Sequence, residues 1–306
     1  MRTSSSRWRI VRAVVVAALA MCLGLGTAAT ASAQAPDCAG RGVPDSKISI
    51  QLWTFAEYVG FGTDPATIAR LEEVLSSLSE MGYRNVEPFT LSGLSADEYR
   101  ALLDKYGLKA PARHVNVGTP QSPVDFQQIL DENRTLGIKF FGSGGTPNYA
   151  TEAEWIAYAE YLDELGALAR QQGQTLMVHN HNWEFQRVFG DQTAFDILMQ
   201  YTDPRNVVFQ LDLYWATNGG ADPVELLERY GNRIQLFHVK DMAAGTFPGR
   251  IEIVGEGIID FPKIFAASKG PVRYYVVEHD PRFGDPTFDP FEAAEKGFDY
   301  LDCVTF

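Results

Sequence analysis

Cysteine is scarce in this 306-residue chain: Cys22, Cys38 and Cys303 are far too few for a small disulfide-stapled scaffold. Basic residues are also in short supply, with 26 Lys plus Arg against 39 Asp plus Glu and a formal net charge of −13. Nucleic acid and anionic membrane surfaces, which are held mainly through Lys and Arg, are therefore disfavoured as partners. The one long apolar run, Ala13 to Leu25, falls short of the roughly 20 residues a spanning helix needs. No low-complexity segment or interdomain linker interrupts the chain. What is present, 45% hydrophobic and 21% charged residues, describes a globular body of enzyme size.

The N-terminus reads as a secretory signal. Arg2, Arg7, Arg9 and Arg12 precede the apolar run, and Ala31-Ser32-Ala33 supplies the small-x-small pattern of a cleavage site. Residues 1–33 are thus expected to be removed, leaving an irregular leader at 34–45 and a domain at 46–306. Loss of the four arginines leaves 22 basic against 39 acidic residues, a net charge of −17. Two cysteines survive in the mature chain, and an even count in an exported protein predicts a Cys38–Cys303 disulfide.

From Ser46 onward, short β-branched and aromatic runs alternate with longer amphipathic ones. Strands are predicted at Ile48–Phe55, Asn85–Pro88, Lys109–Val115, Lys139–Gly142, Thr175–His179, Val207–Asp212, Ile234–Val239 and Tyr274–Glu278. Helices fall between and after them, several opening at a first-turn proline (Pro65, Pro223) and closing at glycine (Gly82, Gly137). Strand starts recur about every 32 residues between Ile48 and Tyr274, the length of a βα unit. The fold class is therefore α/β, a single (β/α)8 TIM barrel. An open doubly wound sheet lacks support, because no G-x-G-x-x-G follows the first strand. In a barrel the last helix ends near the entry of the first strand, which brings Cys303 towards Cys38.

Chemistry in such a barrel sits at the C-terminal ends of the strands. All five histidines fall there: His114, His179, His181, His238 and His279. Glu87, Asp212 and Glu278 join them. His179, Asp212, His238 and Glu278 make a plausible ligand set for one divalent ion, with Mn²⁺, Zn²⁺ or Co²⁺ accepting such mixed donors. Asn180, His181, Lys240 and Asp241 stand beside them as groups that would orient ligands or carry protons.

Several segments together resemble the xylose isomerase-like barrels, commonly labelled sugar phosphate isomerases/epimerases. They are Gly82-Tyr83-Arg84-Asn85-Val86-Glu87, His179-Asn180-His181-Asn182-Trp183-Glu184-Phe185, Leu211-Asp212-Leu213-Tyr214-Trp215, His238-Val239-Lys240-Asp241, Gly255-Glu256-Gly257 with Asp260-Phe261, and Val277-Glu278. The resemblance places Asp212, His238 and Glu278 on the family's metal-ligand positions. Epimerases of the family commonly carry glutamate on the fifth strand, as in Glu-Asn-His, where this chain reads His179-Asn180-His181. Two-glutamate epimerisation is thereby put in doubt.

Trp53, Phe55, Trp183, Phe185, Tyr214 and Trp215 are also expected at the rim, where aromatic faces suit a sugar or glycoside. Trp53, Phe55, Trp183, Trp215 and Asn180 are taken as substrate-binding. A phosphorylated sugar is disfavoured, since no glycine-rich phosphate cradle follows the seventh or eighth strand and the chain is acidic. The leading expectation is a secreted or periplasmic, metal-dependent isomerase or epimerase of a neutral sugar, acting through an enediolate. Glu278, His114, His179 or His181 would serve as base, with Lys240 and Glu87 positioning hydroxyls or donating a proton. The alternative is a lyase that eliminates a substituent from an oxidised glycoside; the non-enzymatic one is a sugar-binding barrel. A small sugar or glycoside is the expected partner. No stable membrane anchor is expected once the signal is cleaved, and homo-oligomer formation is left open.

Overall fold

Eight short, largely buried strands alternate with helices in the computed structural model, which describes Cys38 and residues 42–306 except 246, 269 and 271. The expected signal and most of the leader lie outside the described residues. The strands are β1 Ile48–Gln51, β2 Asn85–Glu87, β3 Ala112–His114, β4 Phe140–Gly142, β5 Thr175–His179, β6 Val207–Asp212, β7 Ile234–Val239 and β8 Tyr274–Val277. The principal helices are α1 Pro65–Met81, α2 Ala96–Lys105, α3 Phe126–Leu136, α4 Glu152–Gln171, α5 Ala194–Gln200, α6 Pro223–Tyr230, α7 Phe261–Ala267 and α8 Pro290–Cys303. All eight strands pair in parallel in the order β2-β1-β8-β7-β6-β5-β4-β3. The remaining seam, β2 to β3, is closed by Val86 N–H donating to the Lys109 carbonyl at 2.8 Å and Lys109 N–H to that of Arg84 at 3.0 Å. This is the expected (β/α)8 barrel.

Local sequence sets the elements. Asp64 caps α1 by accepting from the Ala66 and Thr67 amides, and Gly82 ends it with φ 109°, a left-handed conformation that glycine adopts without strain. Ser95/Glu98 and Thr151/Glu154 form reciprocal capping boxes on α2 and α4. β1 is shorter than its apolar run suggests. The Gln51 side chain accepts from the Trp53 amide, and residues Leu52–Phe55 turn into a 3-10 helix instead of extending the strand.

Two layers fill the barrel. The lower is apolar: Ala112, Phe140, Met177, Val208 and Leu236, with Tyr274 packed against them. Above it lies a polar layer whose members the strand register sets side by side, pairing Gln51 with Glu87, His179 with Gln210, and Asp212 with His238. Gly142 is required in this layer, since a Cβ there would lie 1.9 Å from the Met177 carbonyl oxygen. At the opposite end the two cysteines meet as expected. Cys38 and Cys303 are disulfide-bonded with Cα atoms 4.9 Å apart, and the Val43 amide donates to the Leu301 carbonyl at 2.8 Å.

Candidate active site

Alternation along β5, β6 and β7 turns every second side chain inward, so that His179, Gln210, Asp212 and His238 share the barrel interior with Glu87 and His114. Glu87 is fully buried at the base. Its Oε1 accepts from Gln51 Nε2 (2.6 Å) and His238 Nε2 (2.7 Å), and its Oε2 from Gln210 Nε2 (2.7 Å). Burial alone would raise its pKa, but the His238 imidazolium and the hydrogen bonds from His238 and Gln210 outweigh that and hold it below the usual carboxylate range.

These bonds assign the tautomers. The Gln51 amide donates to His114 Nδ1, so His114 carries its proton on Nε2 and gives it to Gln210 Oε1 at 2.8 Å. His179 donates Nδ1–H to the same oxygen at 3.1 Å, which leaves its Nε2 lone pair free. His238 has both nitrogens on carboxylates, Nδ1 to Glu278 Oε2 and Nε2 to Glu87 Oε1, each at 2.7 Å. Burial opposes charge on His238, yet the two carboxylates push its pKa up to about 10. His114 and His179 are shifted the other way by burial and stay neutral.

Lys240, 1% exposed, lies above this layer with its ammonium 2.8 Å from Glu278 Oε2, 3.0 Å from Asp280 Oδ1 and 3.3 Å from Asp212 Oδ2. Burial opposes its charge, but the three carboxylates keep it protonated. Burial also raises Asp212 above the usual carboxylate range. Glu278, although buried, is held low by Lys240 and His238.

The donor set fits a divalent cation. Asp212, His238 and Glu278 present ligand atoms within 4.8 Å of one another, as do His114, His179 and His238. His238 belongs to both groups and would give up a proton to bind a cation, and beside it His179 Nε2 is the imidazole nitrogen whose lone pair is left free. Asp212 Oδ2 is buried and makes no hydrogen bond, with the Lys240 ammonium facing it at 3.3 Å as an ion pair. Among the described residues, the buried Glu87, Asp212 and Glu278 and the part-exposed Asp280 face two cations, His238 and Lys240, so the four carboxylates are incompletely compensated.

Above these groups opens a cavity of about 710 Å³, lined on its polar side by His114, His179, His181, Lys240, Glu278 and Asp280 and on its apolar side by Trp53, Phe89, Trp183 and Tyr158. The His181 ring stacks on Trp183 at 4.4 Å and 8°, and its Nδ1 is buried with no partner. Burial, then the charge of Lys240, push His181 down to about 3, so the imidazole is neutral. Gly144 and Gly145 press on the imidazoles: a Cβ on Gly144 would lie 2.9 Å from His114 Nδ1, and one on Gly145 2.7 Å from His181 Cε1. Gly145→Ala is therefore expected to displace His181 and lower turnover about 100-fold even well below its melting temperature, which the strained backbone at this positive-φ position should also lower. Steady-state kinetics alongside a thermal melt check this.

Several expected site residues lie elsewhere. Phe55 is fully buried against Phe291 of α8, because the 3-10 turn after Gln51 swings it out of the barrel mouth; it does not reach the cavity. Asn180 is 1% exposed, and its amide joins β5 to β6: Oδ1 accepts from the Asp212 amide and Nδ2 donates to the Asp212 carbonyl. Glu87 does not line the cavity and acts only through His238 and His114. Trp215 stands behind the wall, its face 5.5 Å from the Lys240 ammonium. Phe185 packs on Phe195, and the Tyr214 hydroxyl donates to the Gly249 carbonyl. His279, next in alternation after inward-facing Glu278, stacks on Phe288 instead. Asp241 is tied up by the amides of Met242, Gly255, Gly257 and Ile259.

Gln51, Gln210, Asp280 and Glu184 were not anticipated. Gln210 carried a signal, lying two residues before Asp212 on the same strand face. Glu184 is buried against the Thr146 hydroxyl and the His181 amide, and burial raises it to about 7.

Residues 75–301 match the xylose isomerase-like TIM barrel family. The chain belongs to this family. It is 27% identical over 271 residues to an inosose dehydratase of Geobacillus kaustophilus, covering 76% of this chain and 86% of that protein. Other inosose dehydratases match over about half of their length. A sugar phosphate isomerase/epimerase from Parabacteroides distasonis superposes with a TM-score of 0.71 at 24% identity, over 89% of this chain and 98% of that one. The IOLI protein, solved with a bound zinc atom, does so with 0.61 at 18% identity, over 84% and 98%. At these identities the two structures establish the shared fold alone. The named relatives thus include dehydratases of an inosose and a sugar phosphate isomerase/epimerase. Among the described residues no helix is long and apolar enough to cross a membrane.

Proposed function

We propose that the protein is a metal-dependent lyase that eliminates a substituent β to the carbonyl of a keto sugar or keto polyol. The observation that carries this reading is the fifth-strand position. A neutral imidazole, His179, stands where two-carboxylate epimerases hold their second glutamate, so no carboxylate faces Glu278 from β5. The likeness to inosose dehydratase over most of the chain supports elimination over the isomerisation that the sequence first suggested.

A divalent ion held by His179, Asp212, His238 and Glu278 would supply electrophilic stabilisation of negative charge developing on the carbonyl oxygen. The protein's own groups do the rest. Neutral His181 accepts the proton from the carbon beside the carbonyl. The C–H electrons become the new double bond as the bond to the substituent's oxygen breaks, and that oxygen leaves with its electron pair and takes a proton. Lys240, kept protonated by its carboxylates and lining the cavity, is placed to deliver that proton. Lys240 holds substrate oxygens, and Trp53 and Trp183 cover C–H faces. The Cys38–Cys303 bond supports a location outside the reducing cytoplasm, in line with the N-terminal signal.

With inosose in deuterated water, NMR is expected to show a product that has lost water, the enol formed by elimination or the deuterium-bearing 1,2-diketone into which it tautomerises. Appearance of a stereoisomer without loss of water would replace this reading by epimerisation. His181→Gln should lower turnover by about 10²–10⁴-fold with metal content unchanged. Undiminished turnover would remove His181 from its role.

A further inference from the structure

Two phenylalanines at the cavity mouth are held in water, Phe61 at 65% and Phe283 at 57% exposure. They contact each other at 6.4 Å and 29°, and both contact Trp53, at 5.9 and 6.2 Å. Trp53 in turn meets Phe89 edge-on at 5.1 Å. Trp53 and Phe89 line the cavity, so the four rings continue its apolar wall outward. They come from the loops after β1, β2 and β8, which are adjacent in the barrel.

Their placement is built in. The Gly284 amide donates to Glu57 Oε1 at 2.7 Å, which ties the loop of Phe283 to that of Phe61. Arg282 donates to the Ile251 carbonyl at 2.9 Å and anchors the same loop from its other side. Large apolar side chains fixed in water beside a polar cavity mark a binding surface.

We propose that Trp53, Phe61, Phe89 and Phe283 form a subsite for a flat aromatic substituent carried by the substrate. This rests on the reading of the adjoining cavity as the substrate site and extends it from a bare polyol to an aryl-substituted one. Size agrees. A cavity of about 710 Å³ lies within the range of roughly 300–1,000 Å³ that encloses a drug-sized ligand. Polarity agrees too: Asn116, Ser143, Lys240 and Asp280 line the cavity as partners for hydroxyls, while Trp53 and Phe89 lead from it to the exposed rings of Phe61 and Phe283.

Calorimetric titration with phenyl and methyl β-D-glucopyranoside, neither of which needs turnover, tests the subsite. The phenyl compound is expected to bind about tenfold more tightly, the size of one or two aromatic contacts. Phe61→Ala/Phe283→Ala, which alters only exposed rings, should bring the two affinities to within about twofold while leaving the methyl compound unchanged. Equal affinities in the unaltered protein, absence of binding by either compound at millimolar concentration, or a phenyl preference that survives the double substitution would each overturn the proposal. A preference that survives while the double variant dissociates from a dimer to a monomer would assign the rings to contact between copies. Failure of elimination with an intact, ring-dependent phenyl preference would overturn the lyase reading and leave the subsite standing.

Discussion

Lys240→Met is expected to destabilise the metal-free protein by about 3–5 kcal/mol, the loss that follows when one partner of a buried charge group is removed. The ammonium is 1% exposed and lies within 3.3 Å of carboxylate oxygens from Asp212, Glu278 and Asp280. Methionine fills nearly the same volume, so lost packing contributes little and the effect reports on charge. Without the lysine the cluster of four carboxylates keeps only the His238 imidazolium. A divalent cation drawn to Asp212, His238 and Glu278 would compensate the same charges. Zinc or manganese should therefore stabilise the variant by about 2.7 kcal/mol at a hundredfold excess over its dissociation constant, and the parent protein by less at the same concentration. Urea denaturation in chelator and in added metal measures both quantities. A loss below about 1 kcal/mol in chelator, or equal stabilisation of both proteins by metal, would show that lysine and metal do not share these carboxylates.

The barrel was legible because its periodicity is carried by many residues at once. β5, β6 and β7 run between the expected residues, Thr175–His179, Val207–Asp212 and Ile234–Val239. Apolar runs with abrupt polar ends mark such strands whatever follows them. The site was legible in its membership and less so in its orientations. His114, His179, His181, Lys240 and Glu278 do converge on one cavity, because polar residues at strand ends have only the barrel mouth to share. Phe55 was misplaced because one side chain–backbone bond, Gln51 to the Trp53 amide, ends β1 four residues early. Asn180 and Glu87 were misplaced because residue type does not tell a group that meets substrate from one that holds its neighbours. Gln51 and Gln210 look unremarkable within apolar runs, yet they fix which nitrogen of His114 and of His179 bears the proton. The reaction was the least legible part. Isomerisation and elimination share the same opening proton transfer, and the fifth-strand imidazole weakened one without specifying the other.

Removal of the Cys38–Cys303 bond by double serine substitution is expected to lower stability by about 5 kcal/mol in the chain-entropy model, a large share of the roughly 5–15 kcal/mol of an ordinary domain. The bridge spans 265 residues, so it closes nearly the whole barrel sequence into one loop and restricts the unfolded chain accordingly. The native end of the barrel changes less. Val43 is 1% exposed and its amide still donates to the Leu301 carbonyl. Gly42 lies so close to α8 that a Cβ there would be 2.3 Å from the Leu301 and Asp302 carbonyl oxygens. The leader thus keeps its own contacts with α8, and the folded structure and the distant active site should survive the substitution. Urea denaturation of the parent and the variant gives the difference, with steady-state kinetics on the folded variant as the control. Equal midpoints would mean that the leader's contacts alone set stability at this end. A loss of activity in the still-folded variant would mean instead that strain at the N-terminal face reaches the polar layer through the short barrel strands.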